Sequence, residues 1–418
     1  MRRKLTGLYA VMLIGIFSSA AAEEKMLTVG ISGTYSGGFA SVGKSVSDGE
    51  TDYLKWLGTD RGIEYKDPVS GKTEKAGINV IIEDNAYNPA KAASVYESFK
   101  MKRVNMIFGF GSTPGQVCAA NASQDRIPYL SWYAYATPLG YKPKPQYYWT
   151  LLPTIAESAS PMIKWFVKEK WQGPGTPKIG IMAADVPSWR VLGKPKMMDS
   201  YIRSLGGELS GIEFIPPVTP DLSMTVGKLV LEKGVNALIL IGNSSQTVVL
   251  AKNLKQMGID TAKITVLCNI SAWDESLFKS IPREVEGLYG EVHTVLPEEN
   301  VPGMQKVREA AKKAGRGTEQ IVVNYINGVI GGMVLEHAVR NALEKHGYEK
   351  VAQSGEFIRD ELQNFKSFDP FGLTAPIAVL YQDQPYFYNH ARIVRAENGR
   401  FKAASQWIPL DRIPGSLE

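Results

Sequence analysis

Gly38-Phe-Ala-Ser-Val-Gly43-Lys44-Ser45 fits GxxxxGK[ST], a loop whose backbone amides cradle phosphates while its lysine reaches the outermost one. A later apolar run ends Ile82-Glu83-Asp84, where an acid could hold magnesium. Two features oppose a nucleotide site. A phosphate loop follows its strand almost directly, yet Gly33-Thr-Tyr-Ser-Gly37 intervenes here. The amino terminus, described below, also sends the chain where nucleoside triphosphates are scarce. The plainer alternative is a glycine-rich turn with an exposed Lys44 at a helix start. Gly109-Phe-Gly111-Ser-Thr-Pro-Gly115 falls short of a dinucleotide fingerprint: its third glycine is one residue late, and no acid is well placed for a ribose. It does offer a helix start. Thr113 suits the N-cap and Pro114 the first helical position, leaving the Gly115 and Gln116 amides and two hydroxyls for an anion. A purely structural cap explains the same residues.

Other reactive constellations are missing. His293, His337, His346 and His390 include no HExxH pair, and Cys118 and Cys268 lack zinc spacing. The two cysteines could pair in an exported protein or stay as thiols. No nucleophile–base pair or carboxylate dyad is legible, so the sequence predicts no enzyme, no metal and no cofactor.

The elements that must position these residues alternate. Strand-like runs at Leu27 to Ser32, Ile78 to Ile82, Met106 to Phe108 and Ile127 to Leu130 are separated by helical patterns at Lys44 to Leu57, Pro89 to Lys102 and Pro114 to Gln124. The rhythm restarts near Tyr147. A helix from Glu157 to Lys170 then precedes strands at Lys178 to Met182, Glu208 to Ile215, Ala237 to Ile241, Ile264 to Leu267 and Leu288 to Val292. Helices centred on Met197, Leu229 and Leu254 separate these strands, and helical patterns return at Val301 to Ala314, Gln320 to Leu343 and Val351 to Leu362. A tail with strand character, Pro376 to Leu380 and Ala391 to Trp407, ends the chain. Such a βαβα series predicts an α/β fold with two doubly wound parallel-sheet lobes.

Arg2, Arg3 and Lys4, an apolar run from Leu5 to Phe17, and Ala20-Ala21-Ala22 make residues 1–22 a cleavable secretory signal. The apolar run is too short to span a ~30 Å hydrocarbon core. Without those three charges, 44 of the 47 basic residues face 42 acidic ones, a net +2. That balance leaves no electrostatic footprint for nucleic acid or anionic lipid. Ile321 to Leu335 is interrupted by Asn324, Asn327 and glycines, and is expected as a buried helix rather than a membrane insertion.

The order of the segments resembles a known family. Thr34-Tyr-Ser-Gly-Gly-Phe-Ala-Ser-Val-Gly43 follows the first strand and Glu83-Asp84-Asn85-Ala-Tyr-Asn-Pro89-Ala-Lys-Ala-Ala the second. Phe108-Gly-Phe-Gly-Ser-Thr113 and Ile127-Pro-Tyr-Leu-Ser131-Trp-Tyr-Ala-Tyr-Ala-Thr-Pro138 come next. Over nearly the whole mature chain this is similar to the type I periplasmic solute-binding proteins that serve branched-chain amino-acid ABC transporters. The resemblance implies lobes joined by crossover strands: 23–152 and 295–365 in the first lobe, 153–294 in the second, and 366–418 in the second lobe and hinge. It implies a periplasmic protein that captures a small molecule between its lobes and docks on an inner-membrane ABC permease. Members bind a carboxylate at the position of Ser112 and Thr113, with the stretch Ser131 to Tyr135 lining the same cleft. Phe39 is counted with them. From the second lobe, Trp189 in Asp185-Val-Pro-Ser-Trp189 stands where members carry tyrosine, and Asn243 and Asn269 follow later strands.

The departures point to the ligand. Amino-acid binders hold the ammonium with a threonine and an acid, where this chain has Tyr135 and Asn269. A desolvated ammonium without a carboxylate costs several kcal/mol. Asp274 would restore that partner if it faced the cleft. Trp132, Tyr133, Tyr135 and Trp189 add flat apolar faces that stack on planar ligands, although aromatic residues serve any core equally well. The expected ligand is therefore an aromatic or other non-amino carboxylate. A branched-chain amino acid, an amide or urea are the alternatives within the family, and a sensor of the same ligands is the alternative outside transport.

Overall fold

The computed structural model describes residues 24–132, 144–379 and 386–416. The first sheet and its helices take up β1 (Met26–Gly33), α1 (Ala40–Trp56), β2 (Ile63–Lys66), β3 (Thr73–Asp84), α2 (Pro89–Met101), β4 (Met106–Phe110), α3 (Ser112–Asp125), β5 (Tyr129–Trp132) and β6 (Tyr148–Thr150). The chain then leaves for α4 (Ile155–Ser158), α5 (Ser160–Trp165), β7 (Lys178–Ala184), α6 (Met197–Ser204), β8 (Glu208–Ile215), α7 (Ser223–Val226), β9 (Ala237–Ile241), α8 (Ser244–Gln256), β10 (Thr265–Cys268), α9 (Leu277–Ser280) and β11 (Tyr289–Val292). It returns through α10 (Pro302–Lys313), α11 (Val323–His346), α12 (Tyr348–Gln353) and α13 (Glu356–Gln363). It finishes with β12 (His390–Glu397), β13 (Arg400–Ala403) and β14 (Ile408–Pro409).

Strands covered on both faces need unbroken apolar sequence, and Ala237-Leu-Ile-Leu-Ile241 supplies it, with all of β9 buried. The first sheet has the order β2-β3-β1-β4-β5-β6, parallel except for the short hairpin arm β2. The second has β13-β12-β11-β10-β9-β7-β8, parallel from β11 to β8, with β12 antiparallel to β11 and β13 antiparallel to β12. Each lobe therefore repeats one doubly wound order, β3-β1-β4-β5-β6 and β8-β7-β9-β10-β11, as the alternating rhythm predicts. Cys118 and Cys268 are both buried free thiols.

Helix boundaries differ from expectation where glycine misleads. α1 begins at Ala40 rather than Lys44, because Val42, Val46, Gly49, Tyr53 and Trp56 already form one buried stripe at helical spacing. Gly43 sits inside this helix because a Cβ there would lie 2.6 Å from the Thr34 carbonyl oxygen. α3 begins at Ser112, so Thr113 is not its N-cap; that place belongs to Gly111 at φ 97°. The expected helix Val351 to Leu362 is two helices, broken after Gln353. α11 is buried at every residue from Val323 to Leu335 and lies along α1.

Candidate functional site

The two crossings fix which edges face each other. β6 and β11 run parallel to their neighbours, and the chain leaves each sheet from the carboxyl end of that strand. A third segment joins them: the Tyr388 amide donates to the Leu151 carbonyl at 2.9 Å, and the Tyr388 ring stacks on His293 at 5.0 Å. The carboxyl edges of both sheets therefore border the same hinge. Within each edge, the loops after β1 and β4, and those after β7 and β9, diverge at the point where strand order reverses. Crevices at such points are where open α/β sheets bind ligands.

The GxxxxGK[ST] segment takes no part in phosphate-type geometry. Lys44 lies in the second turn of α1 and pairs with Asp48 at 2.6 Å on the surface. Asp84 is occupied as well. Its carboxylate accepts from the Tyr35 and Ala86 amides, both at 2.9 Å, from Ser36 Oγ at 2.6 Å and from Lys91 Nζ at 2.9 Å. Burial pushes this carboxyl up, but those donors outweigh it and hold it far below the usual range. The acid thus pins the β1–α1 loop to the end of β3.

That loop delivers Phe39. Its half-buried ring stacks on Tyr87, with centroids 4.3 Å apart and planes 26° apart. Tyr87 meets Phe110 edge-on at 6.5 Å and lies across Gly111, where an added Cβ would come within 2.5 Å of the ring. Burial pushes this phenol up, opposed by its neighbours Ser112 and Thr113 at the start of α3. Ala86 and Tyr87 reach this position through consecutive left-handed backbones, φ 53° and 54°, while Asn85 Oδ1 accepts the Tyr87 amide at 2.8 Å. Thr34 Oγ1 donates to the same Asn85 oxygen at 2.6 Å. Phe39, Ser112 and Thr113 are thus brought together, and Tyr87, absent from the expected set, stands among them. The one hint in the sequence is the Asn-rich turn that permits its backbone.

Ser131 is fully buried beneath the first turn of α3: a Cβ on Gly115 would lie 2.9 Å from its Oγ. Trp132 packs against Tyr388 at 5.3 Å, as part of the hinge core. Tyr133 and Tyr135 lie outside the described residues.

In the second lobe the expected residues mostly serve the fold. Trp189 is buried in the core, while its loop is closed by Arg190 bonding Asp185 through Nε and Nη2 at 2.7 and 2.8 Å. Asn243 caps α8: its Oδ1 accepts the Gln246 amide at 3.0 Å, its Nδ2 donates to the Pro217 carbonyl at 3.0 Å, and Gln246 reciprocates. Asn269 Oδ1 accepts the Gly242 amide at 3.0 Å, tying the end of β9 to the end of β10. Asp274 takes the Ser244 hydroxyl on one oxygen and the Ser276 amide, at 2.8 Å, on the other.

Glu275 has a different position. Its Oε1 accepts the Val323 amide at 2.8 Å, at the start of α11, and its Oε2 is buried without a protein partner. Burial pushes its carboxyl up to about 7; the Val323 amide opposes that shift, and Asp274 and Glu298 reinforce it. A folded value above the ordinary one means that the protonated form is favoured in the native state. Its stabilisation is complete below about pH 4 and is lost as pH rises through about 7. Glu275→Gln keeps the acceptor without the charge. Melting temperatures should be nearly equal for the two proteins at pH 4.5, with the variant higher at pH 8. Parallel profiles across that range would refute the assignment.

A surface hollow of about 370 Å³ lies away from the hinge, lined by Tyr53, Trp56, Arg61, Glu64, Lys75 and Arg340 among others. Lys75 pairs with Glu64 at 3.0 Å, Arg61 with Glu309 at 3.2 Å and Arg340 with Glu336, while Lys306 lies over the Trp56 ring at 5.9 Å. No cluster of three His, Cys, Asp or Glu side chains suited to a metal occurs among the described residues, and none of the described helices is long and apolar enough to cross a membrane.

A family model described as periplasmic binding protein matches residues 26–400. No curated protein matches the sequence. Several solved structures share the fold at low identity. A branched-chain amino-acid ABC transporter protein of Thermus thermophilus with bound valine superposes with a TM-score of 0.76 at 18% identity, covering 92% of this chain and 97% of that one. A solute-binding protein of Rhodopseudomonas palustris BisB5 in complex with 3,4-dihydroxybenzoic acid gives 0.71 at 21%, covering 94% and 99%. A fatty acid ABC transporter substrate-binding protein of Thermomonospora curvata gives 0.73 at 20%, covering 92% of each.

Proposed function

Because the chain belongs to the periplasmic binding protein family, we propose that it is the substrate-binding component of an ABC uptake transporter and captures a small carboxylate with a planar, non-amino body. It is a binding protein, not an enzyme. The observation that carries the ligand class is the half-exposed Phe39–Tyr87 stack against Gly111, the N-cap of α3. The acids that could hold an ammonium from the second lobe are committed, Asp185 to Arg190 and Asp274 to Ser244 and Ser276. A zwitterion would therefore leave its ammonium desolvated and unpaired, at a cost of several kcal/mol. The similar proteins with bound valine and with bound dihydroxybenzoate support a fold that accommodates either class, so that the lining residues decide between them.

Residues 1–22 act in this proposal as the signal that takes the chain to the periplasm. Ligand bridging both lobes shifts an open–closed equilibrium, and the closed form docks on an inner-membrane permease.

A thermal-shift panel of benzoate, 4-hydroxybenzoate, benzamide, urea and leucine tests the ligand class. A bound compound at 100 times its Kd adds about 2.7 kcal/mol of stability. The aromatic acids should raise the melting temperature and leucine should not. A clear shift with leucine and none with the acids would overturn the ligand class and leave the family assignment intact.

A further inference from the structure

We propose that Glu275 and the start of α11 form a clasp between the two lobes, and that the protonation state of this one carboxyl sets how readily the cleft opens. This rests on the open–closed equilibrium above and adds a device that biases it.

The two halves of the clasp belong to different lobes. Glu275 stands in the loop after β10, in sequence between Trp273 and Leu277, which are both buried in the apolar cluster of the second lobe. α11 belongs to the first lobe. It lies along α1, and its first turn is tied there by the Tyr325 hydroxyl, which donates to Asp52 at 3.0 Å. Yet the first residue of this helix is held by the other lobe. The Val323 amide donates to Glu275 Oε1 at 2.8 Å, and the Val323 side chain, fully buried, joins the cluster of Trp273 and Leu277. Val322, the N-cap of α11, makes no side-chain capping bond, so Glu275 supplies across the interface the acceptor that the helix lacks. The lobes cannot rotate apart here without breaking that bond or drawing α11 away from α1.

The charge on the carboxyl decides how firm the clasp is. Oε2 is buried and meets no hydrogen-bond donor among the described residues. An ionised carboxylate enclosed there gives up its hydration, whereas the protonated group keeps the Oε1 acceptor and loses far less. The neighbouring charges act in the same direction: Asp274, bound to Ser244 and Ser276, and Glu298, in the segment after β11, are both acidic. On the α1 side the charges are committed to one another, since Arg316 pairs with Asp52 and, together with Lys44, with Asp48. Burial accordingly pushes the Glu275 carboxyl up to about 7 while the lobes are clasped. Opening returns it to water and to an ordinary value of about 4.3. The raised value belongs to the clasped form, so proton binding favours closure. That advantage is complete below about pH 4 and is lost as pH rises to about 7. Between those limits each pH unit changes the closed-to-open ratio by up to about tenfold.

Small-angle X-ray scattering of the ligand-free protein at pH 4.5 and pH 8 reads this equilibrium whichever ligand the cleft takes. The wild type should have the larger radius of gyration at pH 8. Glu275→Gln keeps the acceptor for Val323 without the charge and should stay compact at both values. Glu275→Ala loses the acceptor and should be expanded at both. Expansion at pH 8 that persists in Glu275→Gln would assign the response to another group and overturn the proposal. Equal radii throughout would overturn it as well, and hydrogen exchange of the Val323 amide, followed by NMR at a single pH, then locates the fault. Protection kept in Glu275→Gln and lost in Glu275→Ala would show that the bond forms but the lobes do not move, so that the open–closed reading falls with it. Unchanged protection in both would show that there is no clasp and would leave that reading standing. Should circular dichroism show Glu275→Ala unfolded, the wild type and Glu275→Gln decide between them.

Discussion

Gly328→Ala should cost the protein about 3 kcal/mol or more and leave it poorly folded at ambient temperature. A Cβ at this position would lie 2.0 Å from the Val46 carbonyl oxygen and 2.8 Å from the Glu50 amide nitrogen, both on the backbone of α1. Gly49 is the reciprocal contact, its added Cβ meeting the Tyr325 carbonyl oxygen of α11 at 2.1 Å. Side chains can rotate out of such a clash, but helix backbones can only separate. Separation would loosen the packing of α1 against α11, whose residues from Val323 to Leu335 are wholly buried. A loss of that size is a large share of the roughly 5–15 kcal/mol that holds a typical domain. Gly332→Ala faces the Tyr53 ring at 2.7 Å and should cost less, while Gly38→Ala meets nothing within 4 Å and should be nearly neutral. Denaturation monitored by circular dichroism reads this ranking. Melting of Gly328→Ala within a degree or two of wild type would refute the contact.

These glycines also show where sequence reasoning succeeds and where it fails. The central strands are legible because full burial writes itself as an apolar run, as in β9 at its expected limits Ala237–Ile241; β8, only partly buried, also falls at its expected limits, Glu208–Ile215. The start of α1 was obscured because Gly38, Gly43 and Lys44 spell a phosphate loop. Gly43 is there for close approach to Thr34, a tertiary fact that no local pattern carries. β2 is four residues long, too short for periodicity to reveal. The candidate site was legible by place, since polar residues at carboxyl strand ends can serve a ligand. The same residue types also satisfy helix ends and neighbouring backbone, and that is how Asn243 and Asn269 are used. Tyr87 was missed for the opposite reason: its role depends on two left-handed residues in a row, which a sequence permits but does not announce.

His293→Phe should destabilise the protein by about 3–5 kcal/mol, the cost of leaving a buried charge without its partner. Glu291 and His293 are both fully buried, with His293 Nε2 3.1 Å from Glu291 Oε1. The His390 carbonyl can only accept, so His293 Nδ1, 2.9 Å away, carries a hydrogen. Nε2 faces the carboxylate in this contact without forming a hydrogen bond, and Glu291 Oε1 also takes the Ser158 hydroxyl at 3.4 Å. The pair stands where the three crossing segments meet: the ring of Tyr388 covers His293, its amide bonds Leu151, and its hydroxyl donates to Asn327 of α11 at 3.3 Å. Phenylalanine preserves the stack on Tyr388, so lost packing cannot account for a large effect. In a Glu291→Gln background no carboxylate remains to be stranded, and His293→Phe should cost clearly less there. Urea denaturation of the four proteins at pH 7 gives the coupling. Equal costs in both backgrounds would show that the ring, rather than its charge pairing, is what the hinge requires.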